Sequence, residues 1–335
     1  MPEVFQEKTQ AGIESTHGTG VAATRILNGV LTPFPIDRGL VWSEVHNGSY
    51  VSRQKASYPR FMPTTSYSES VTYEDLAWWA QMFAEGGVTG VTDGGNPNPA
   101  YTYAFDPDLN TDTLKSFTLE NNVGGSVYDW VQVMADTVQI RIAPDNTSEP
   151  SWMMDVGLMA LGLPTSGSFA SLSHRATEEV RAAGTKVFID SSQANIGNTQ
   201  VTGWLIDASI SIAVNRHFKA FMENADGAAA NKMGRNDRTF DMQMTVEFDN
   251  YTEYNNLISA TPVPRFIRLQ QEGSIIHTTV RKRARFDVAG YWTSWAASER
   301  EGNRTAVFQF QAGNIDPTFA NDYKLSVVNG LATLP

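Results

Sequence analysis

The residue types that most often carry catalysis or bind metal ions are few in this chain, and they are scattered. No cysteine is present, which excludes disulfides, thiolate nucleophiles and cysteine-based zinc sites. None of the five histidines has His-x-x-x-His or His-x-x-Glu-His spacing, and each stands alone: His17, His46, His174, His217 and His277. No P-loop and no Gly-x-Ser-x-Gly elbow occurs. We therefore predict no catalytic group, no metal site and no cofactor, and expect that the chain is not an enzyme.

Pairs of acidic residues are the other groups that could do acid–base chemistry or bind calcium. Asp106 and Asp108 flank a proline, which is typical of a turn, and Glu178-Glu179 fits a solvent-exposed face. Neither pair has the ligand spacing of an EF-hand loop. The sequence therefore favours structural roles for these carboxylates.

The strongest charge cluster is the basic run Arg281-Lys282-Arg283-Ala284-Arg285. Such a run could bind nucleic acid or another phosphate. Alternatively, it is a strand end whose cations meet the carboxylates of a neighbouring subunit. The acidity of the other half of the chain favours the second interpretation.

The net charge of -11 is unevenly distributed along the 335 residues. Residues 1–160 hold 19 Asp and Glu against 8 Lys and Arg, whereas residues 161–335 hold 17 of each. An acidic protein does not wrap DNA for affinity, because phosphate binding needs cations that displace counterions. The first residues lack the pattern of a secretory signal, and no apolar run is long enough to cross a bilayer. A soluble protein that is made in the cytoplasm is expected.

The first half of the chain alternates between turn signals and strand-like runs. Residues 1–40 are predicted to be an irregular N-terminal arm, and Asn47-Gly48 predicts the type I′ turn of a hairpin. Thr72 and Asp75 predict the capping box of a helix that stops at Gly86-Gly87. Strand-like runs follow at residues 101–105, 114–119 and 127–142.

Residues 144–184 are less regular, and the second half then repeats much of the order of the first. It has strand-like runs, a polar loop at residues 223–237, and a short helix that begins at Thr252. The predicted strands of this half are 187–190, 204–214, 240–248, 265–269, 283–298 and 305–311.

The chain is therefore predicted to be mainly β with short helices, in two tandem copies of one unit. The predicted boundaries are an N-terminal arm at 1–40, β domains at 41–162 and 185–312, a connection at 163–184 and a C-terminal arm at 313–335. Two unrelated β-rich segments that each contain one helix would be the simpler alternative.

Several motifs of the first half resemble those of tail tube proteins, the major tail proteins of long-tailed, non-contractile bacteriophages (siphophages). The segment that begins Gly12-Ile13-Glu14-Ser15 and continues through Gly18-Thr19 resembles their N-terminal arm. Residues 72–86 resemble their single helix, and residues 105–107 with 114–120 resemble the strand pair after it.

This resemblance implies a β-sandwich or open-barrel unit with a helix packed outside, whose sheets join around a ring. Stacked rings would form the tube through which the genome leaves the capsid, with no specific binding of DNA. With two tandem units per chain, three chains would form a pseudo-hexameric ring, and a homohexamer is the alternative. The resemblance also implies a location in the virion tail, with tape measure, tail terminator and distal tail proteins as partners.

For such a tube we expect part of the first-half acidic excess to face the lumen. The arm at 1–40, the loop at 223–237 and the segment after Gly313 are expected to bridge subunits or rings, so that deleting the arm abolishes polymerisation but leaves a folded monomer. The candidate inter-subunit contacts are Ile13, Glu14, Thr19, Arg25, Asn47, Glu223, Asp226, Arg235, Arg281, Arg283 and Arg285.

Other functions fit parts of the same sequence. A tail terminator or a capsid decoration protein would also be a β-rich virion component. A β-sandwich carbohydrate-binding module would use exposed tryptophans, with Trp78, Trp79, Trp292 and Trp295 as the candidates. Core packing or a subunit interface is the alternative role for these side chains.

Overall fold

The computed structural model describes residues 8–35, 40–44, 53–57, 61–94, 98–123, 125–144, 150–219, 232–248, 251–300 and 302–334. These residues form mainly antiparallel β-strands, with helices α1 (Tyr73–Phe83) and α2 (Thr252–Leu257) and a 3-10 turn at Gln193–Asn195. The prediction of a mainly β fold with short helices is confirmed.

Twelve strands of the described residues precede the middle of the chain. They are β1 (Thr9–Ile13), β2 (Arg25–Leu27), β3 (Val30–Leu31), β4 (Val41–Glu44), β5 (Arg53–Ser57), β6 (Thr64–Ser70), β7 (Val91–Thr92), β8 (Tyr101–Phe105), β9 (Phe117–Val123), β10 (Ser126–Ile142), β11 (Met153–Met159) and β12 (Thr165–Ser166).

Ten further strands follow in the described part of the second half. They are β13 (Lys186–Asp190), β14 (Gln200–Val201), β15 (Leu205–Ala213), β16 (Arg216–Lys219), β17 (Lys232–Arg235), β18 (Thr239–Glu247), β19 (Arg265–His277), β20 (Val280–Arg300), β21 (Asn303–Ala312) and β22 (Tyr323–Asn329).

Two long strands, β10 and β20, each belong to two parts of the sheet. The N-terminal part of β10 pairs with β9 and its C-terminal part with β11, and a register shift and the positive φ of Gln132 mark the change. In the same way β20 pairs first with β19 and then with β21. Bulges of this kind bend a strand and increase its twist. Each long strand therefore carries the chain from one sheet layer into the next.

The strands of the two halves pair in the same order, and every pairing is antiparallel. In the first half the order is β2–β1–β9–β10–β11–β6–β3, and in the second half it is β14–β13–β19–β20–β21–β18–β15. The β4–β5 hairpin follows β3 in the first half, and the β16–β17 hairpin follows β15 in the second half. Helix α1 then follows β6, and helix α2 follows β18. β12 then pairs with β10, and β22 with β20.

One direct pairing joins the two halves into a single wide sheet. The C-terminal part of β10 pairs with β15, from Thr137 opposite Ala213 to Ile142 opposite Ala208. The wide sheet therefore has eight strands, in the order β3–β6–β11–β10–β15–β18–β21–β20. Its inner face is apolar, with one buried cross-strand row formed by Tyr67, Val156, Val138, Ile212 and Phe240.

Helix α1 begins and packs as its residues dictate. The Thr72 hydroxyl accepts a hydrogen bond from the Asp75 N–H at 2.9 Å, which confirms the predicted N-cap. The helix ends at Phe83, shortly before the predicted glycines. All eleven of its residues are buried, with Trp78 and Trp79 against Phe117. The expectation of a helix packed outside the sheets is therefore wrong for this chain, because aromatic side chains on several faces of α1 require burial.

Three segments that were predicted to be irregular contain strands instead. The N-terminal arm contains β1, β2 and β3, of which β1 and β2 are almost entirely buried. Residues 144–184 contain β11, which lies inside the wide sheet. The C-terminal arm contains β22, whose Tyr323 and Val327 are fully buried between β8 and β20. These segments form strands because they pair with strands that are distant in sequence.

The predicted domain boundary does not divide the core. The main apolar cluster contains residues from both halves, and β22 joins β8 of the first half to β20 of the second. The predicted hairpin before β6 is present as β4–β5, and its Asn47-Gly48 turn lies outside the described residues. The loop predicted at 223–237 contains β17, which pairs with β16.

Candidate assembly surfaces

The C-terminal part of β20 has one uncovered side. Residues 291–300 pair with β21, while the pairing of β19 stops at Gly290 and that of β22 stops at Val288. No other strand in the described part of the chain pairs with this segment. Apart from Tyr291 and Glu299, its exposed side chains are small: Thr293, Ser294, Ala296, Ala297 and Ser298. An uncovered strand of this length presents unpaired backbone groups to a further strand.

The equivalent segment of β10 is covered from within the chain. Residues 137–142 of β10 are equivalent in the first half to the C-terminal part of β20 in the second half. Strand β15 pairs with these residues of β10. The strand equivalent to β15 is β3, at the opposite end of the wide sheet. Among the described strands β3 pairs with β6 alone, and Val30 is 68% exposed. The wide sheet thus ends on two uncovered strands of complementary position.

The outer face of the wide sheet is polar, and its carboxylates outnumber its cations. One row crosses seven of its strands through Ser68, Asp155, Gln139, Ser211, Asp241, Gln311 and Tyr291. Asp155 is neutralised by Arg141 at 2.9 Å on the same face. Serine, threonine and glutamine supply most of the remaining side chains, and this face offers few cations to a phosphate.

The two hairpins are inserted at equivalent places in the strand order. The β4–β5 hairpin connects β3 to β6, and the β16–β17 hairpin connects β15 to β18. The stem of the first hairpin exposes Val41 and Trp42 by 54% and 43%. Three candidate contacts, Asn47, Glu223 and Asp226, belong to the connections of these hairpins and lie outside the described residues.

An ion cluster fixes the base of the β16–β17 hairpin. Arg216 and Arg235 are directly opposite each other, and both bind the carboxylate of Asp112, at 2.6 and 3.4 Å. The Arg216 side chain is almost completely buried, so Asp112 is needed to compensate its charge. Arg235, a candidate inter-subunit contact, therefore has a carboxylate partner in its own chain.

Glu14 is an internal organiser and not an exposed contact. Its carboxylate is 1% exposed and accepts hydrogen bonds from the Ser116 and Thr118 hydroxyls and from the N–H groups of Gly18 and Gln132, at 2.5 to 3.0 Å. Gly18 has a φ of +78°, which glycine adopts without strain. The motif that begins at Glu14 thus folds its own loop, and the prediction of an inter-subunit role for Glu14 is wrong.

The neighbouring candidates differ in exposure. Ile13 is half-buried and packs against the core, whereas Thr19 is exposed. Arg25 is 5% exposed, forms an ion pair with Asp75 of α1 and lies over the Trp78 ring. Burial lowers the pKa of Arg25 to about 10. Arg25 therefore anchors β2 to the helix, and it is not accessible to another subunit.

A buried carboxylic acid lies close to this ion pair. Glu69 is 4% exposed and accepts a hydrogen bond from the Tyr67 hydroxyl at 2.6 Å. Burial raises the pKa of Glu69 to about 7, although Tyr67 and Arg25 favour its ionised form. Burial and the Glu69 charge also raise the pKa of Tyr67. Sequence patterns gave no signal for this cluster, because Tyr67 and Glu69 occupy ordinary strand positions.

The basic run finds partners within its own chain. Lys282 contacts Glu74 at 2.7 Å and Glu178 at 3.2 Å, and these carboxylates raise its pKa against the effect of burial. Arg285 lies 3.4 Å from Asp287, and Arg281 donates to the Gly273 carbonyl. Arg283 is half-buried on the same strand. Lys282 and Arg285 thus have carboxylate partners in their own chain, and a contact of the run with a neighbouring subunit stays a prediction.

The described tryptophans are mainly core residues. Trp78, Trp79 and Trp292 are buried, and Trp295 is half-buried beside Tyr254 at 5.0 Å. Within the described ranges no group of three or more His, Asp or Glu side chains could hold a metal ion. No helix in the part of the chain that the structure describes is long and apolar enough to span a membrane.

Comparison with known proteins adds no relative. No protein-family model matches the chain, and no curated protein matches it significantly. The surfaces above therefore rest on the geometry of the described residues alone.

Proposed function

We propose that this chain is a structural virion protein, the major tail protein of a long-tailed, non-contractile bacteriophage, which polymerises as stacked rings into the tail tube. The observation that carries the proposal is the repeated strand order, which leaves β20 uncovered at the place where β15 covers β10. In this proposal the two halves are tandem copies of one unit, and the junction between them is the template for the junction between subunits.

The template predicts which residues meet at the ring interface. Asp136 and Thr293 are the extra residues at the bulges of β10 and β20, so Arg141 of β10 corresponds to Ser298 of β20. The same alignment makes Ser209 of β15 correspond to Thr32, which extends the β3 ladder by donating its N–H to Ser66. Since Arg141 lies opposite Ser209, we infer that Ser298 lies opposite Thr32 of the next copy.

The width of the sheet favours three chains per ring. Eight strands from each of three copies give 24, and with a strand spacing of about 4.8 Å and a tilt of about 40° the ring would be roughly 45–50 Å across. Six copies would double that width to roughly 95 Å. A ring of three encloses a DNA duplex closely, whereas a ring of six would leave most of its channel empty.

The polar face of the wide sheet would line the channel, because the opposite face packs on the core. Its serine, threonine and glutamine side chains are neutral and displace few counterions from DNA phosphates. DNA can therefore pass without being bound. Of the first-half acidic excess, Asp155 lies on this face and is paired with Arg141. Asp241 and Glu247 of the second half are exposed on the same face, so the proposed lumen is weakly acidic.

Disulfide cross-linking tests the ring, because the chain has no cysteine of its own. Thr32→Cys combined with Ser298→Cys should place two thiols on Cα atoms about 5 Å apart in neighbouring copies, within disulfide range. Mild oxidation of assembled protein should give a ladder on non-reducing gels that stops at a covalent trimer. The matched control, Thr32→Cys with the exposed Ser259→Cys, should remain monomeric.

A ladder that stops at six would show a hexameric ring, and no cross-link in assembled protein would refute the proposed interface. Electron microscopy of the same samples separates the related functions. Tubes with a regular axial repeat support the tube protein, whereas isolated single rings would indicate a terminator. For a tail tube protein, the partners are the tape measure, terminator and distal tail proteins. The protein would assemble in the tail after synthesis in the host cytoplasm.

A further inference from the structure

A polar cavity of about 640 Å³ lies against β9 and the N-terminal part of β10. Thr118, Glu120 and Asp129 form part of its wall, and residues 20–22 and 165–168 pass along its sides. The cavity lies on the part of the sheet that is formed by β1, β9 and the N-terminal part of β10. It is therefore separate from the polar face of the wide sheet.

Three side chains in this region form one cross-strand row. Gln10 of β1 lies directly opposite Glu120 of β9, and Glu120 lies directly opposite Asp129 of β10. Directly opposite residues of antiparallel strands point to the same face, with Cβ atoms about 5 Å apart. Gln10 is fully buried and Glu120 is 5% exposed.

Each of these side chains has an oxygen without a hydrogen-bond donor among the described residues. The three atoms are Gln10 Oε1, Glu120 Oε2 and Asp129 Oδ1, and all three are inaccessible to solvent. The other ends are fixed: Gln10 Nε2 donates to the Ala170 carbonyl, and Glu120 Oε1 accepts from the Ala23 N–H. The unpartnered oxygens of Gln10 and Glu120 are therefore held in place and cannot turn towards other partners in the chain.

Two carboxylates in this arrangement destabilise the sheet unless a cation compensates them. Like charges directly opposite each other repel, and a buried acceptor without a donor costs free energy. No lysine or arginine of the described residues forms an ion pair with Glu120 or Asp129. Gly167 approaches Asp129 so closely that a Cβ atom there would overlap the carboxylate.

We propose that this row binds a divalent cation of the calcium class through the carboxylates of Glu120 and Asp129 and the amide oxygen of Gln10. Hard oxygen ligands select calcium over zinc, and calcium accepts irregular geometry with water in its remaining positions. A site with two carboxylates and an open side predicts a dissociation constant of about 10⁻⁴ to 10⁻³ M. The cation would join β1, β9 and β10 in a monomer, so the inference does not depend on the tail-tube proposal.

Calorimetric titration of the metal-free full-length monomer with CaCl2 tests the site, beside thermal unfolding in EDTA and in CaCl2. Wild type should bind one calcium, and its Tm should rise with calcium concentration. Asp129→Asn should weaken binding at least about tenfold, and Glu120→Gln should do the same. Asp155→Asn, which removes a carboxylate of the wide sheet, is the matched control and should bind as wild type does.

The sign of the effect in EDTA is the sharper test. Without calcium, Asp129→Asn should have a higher Tm than wild type, because it removes one of two facing charges, and calcium should reverse that order. The proposal is overturned if wild type binds no calcium at concentrations up to about 10-fold above the predicted dissociation constant. It is also overturned if folded Asp129→Asn binds calcium as tightly as wild type. If Glu120→Gln fails to fold, Asp129→Asn and the order of the Tm values still decide.

Discussion

At the scale of single residues, buried charges position the backbone of this protein. Glu14 holds its own loop against β9 and β10, and Arg25 joins β2 to helix α1. Both were predicted contacts between subunits, because the N-terminal arm was expected to bridge subunits or rings. Removing either partner of a buried polar contact leaves the other without compensation, so these residues should determine stability before they affect assembly.

Glu69 gives a prediction of pH dependence at the same scale. Its pKa is about 7 in the folded protein and about 4.3 in an unfolded chain, so the folded state holds an extra proton between these values. Raising the pH from about 4.5 to 7.5 should therefore remove about 2–4 kcal/mol of unfolding free energy that the neutral acid contributes. Glu69→Gln should abolish that part of the slope.

Urea denaturation of wild type and Glu69→Gln at several pH values measures the effect as a difference between the two proteins. Glu247→Gln, an exposed carboxylate of β18, is the control and should keep the wild-type slope. Parallel pH profiles for wild type and Glu69→Gln would show that Glu69 is ionised in the folded protein throughout this range.

At the scale of elements, pairing partners decide which weak strand signals become strands. β1, β2 and β22 come from segments whose sequence indicates irregular arms, yet they lie inside the sheets and the core. The prediction that the N-terminal arm can be deleted with retention of a folded monomer therefore needs revision. Its strands cover core that would otherwise be open to water.

Deleting residues 1–31 should prevent folding. The deletion removes β1 to β3, and the core surface that Ile26, Leu27 and Leu31 cover becomes exposed to water. Burial of these three side chains contributes about 5–9 kcal/mol, which is comparable with the whole stability of a domain. Circular dichroism and size-exclusion chromatography should show an aggregated or unfolded chain. Val30→Ser, at an exposed position of the same segment, should fold normally. A soluble deletion variant with the wild-type Tm would show that these strands are dispensable.

At the scale of the whole molecule, the wide sheet combines strands of both halves and has a polar outer face. The proposed ring turns that face into the lining of a channel, and its lack of unpaired cations then explains how DNA could move through it. This makes the charge of the face, more than its shape, the property to vary.

Adding Gln139→Lys and Gln311→Lys should make assembled tubes retain short duplex DNA at low salt, with release as the salt concentration rises. Six new cations per ring of three would face the channel, since both side chains are exposed on the polar face. Sedimentation of tubes with labelled DNA measures retention. Ser259→Lys with Thr261→Lys adds the same charge outside the wide sheet and should retain none. Equal retention by the control would place the polar face outside the channel.

The sequence by itself determined the mainly β class, the capped start of α1 at Thr72, and strands such as β8, β10 and β18, because these depend on local capping and on alternation along one segment. It also indicated a repeated order of elements, from which the tandem proposal came. Periodicity failed at β22, since a strand buried on both faces loses the alternation that marks a half-exposed strand. It failed at β11 because Met153 and Gly157 occupy half-exposed positions, so polar residues do not alternate with apolar ones there.

Only the tertiary structure decided what those elements do together. The pairing of β10 with β15, the uncovered side of β20 and the row of Gln10, Glu120 and Asp129 all join residues that are distant in sequence. Register sets such neighbours, and register is fixed by the burial of one face over many strands at once. A single sequence without its partners does not contain that information in readable form, which is why the candidate surfaces emerged from the fold.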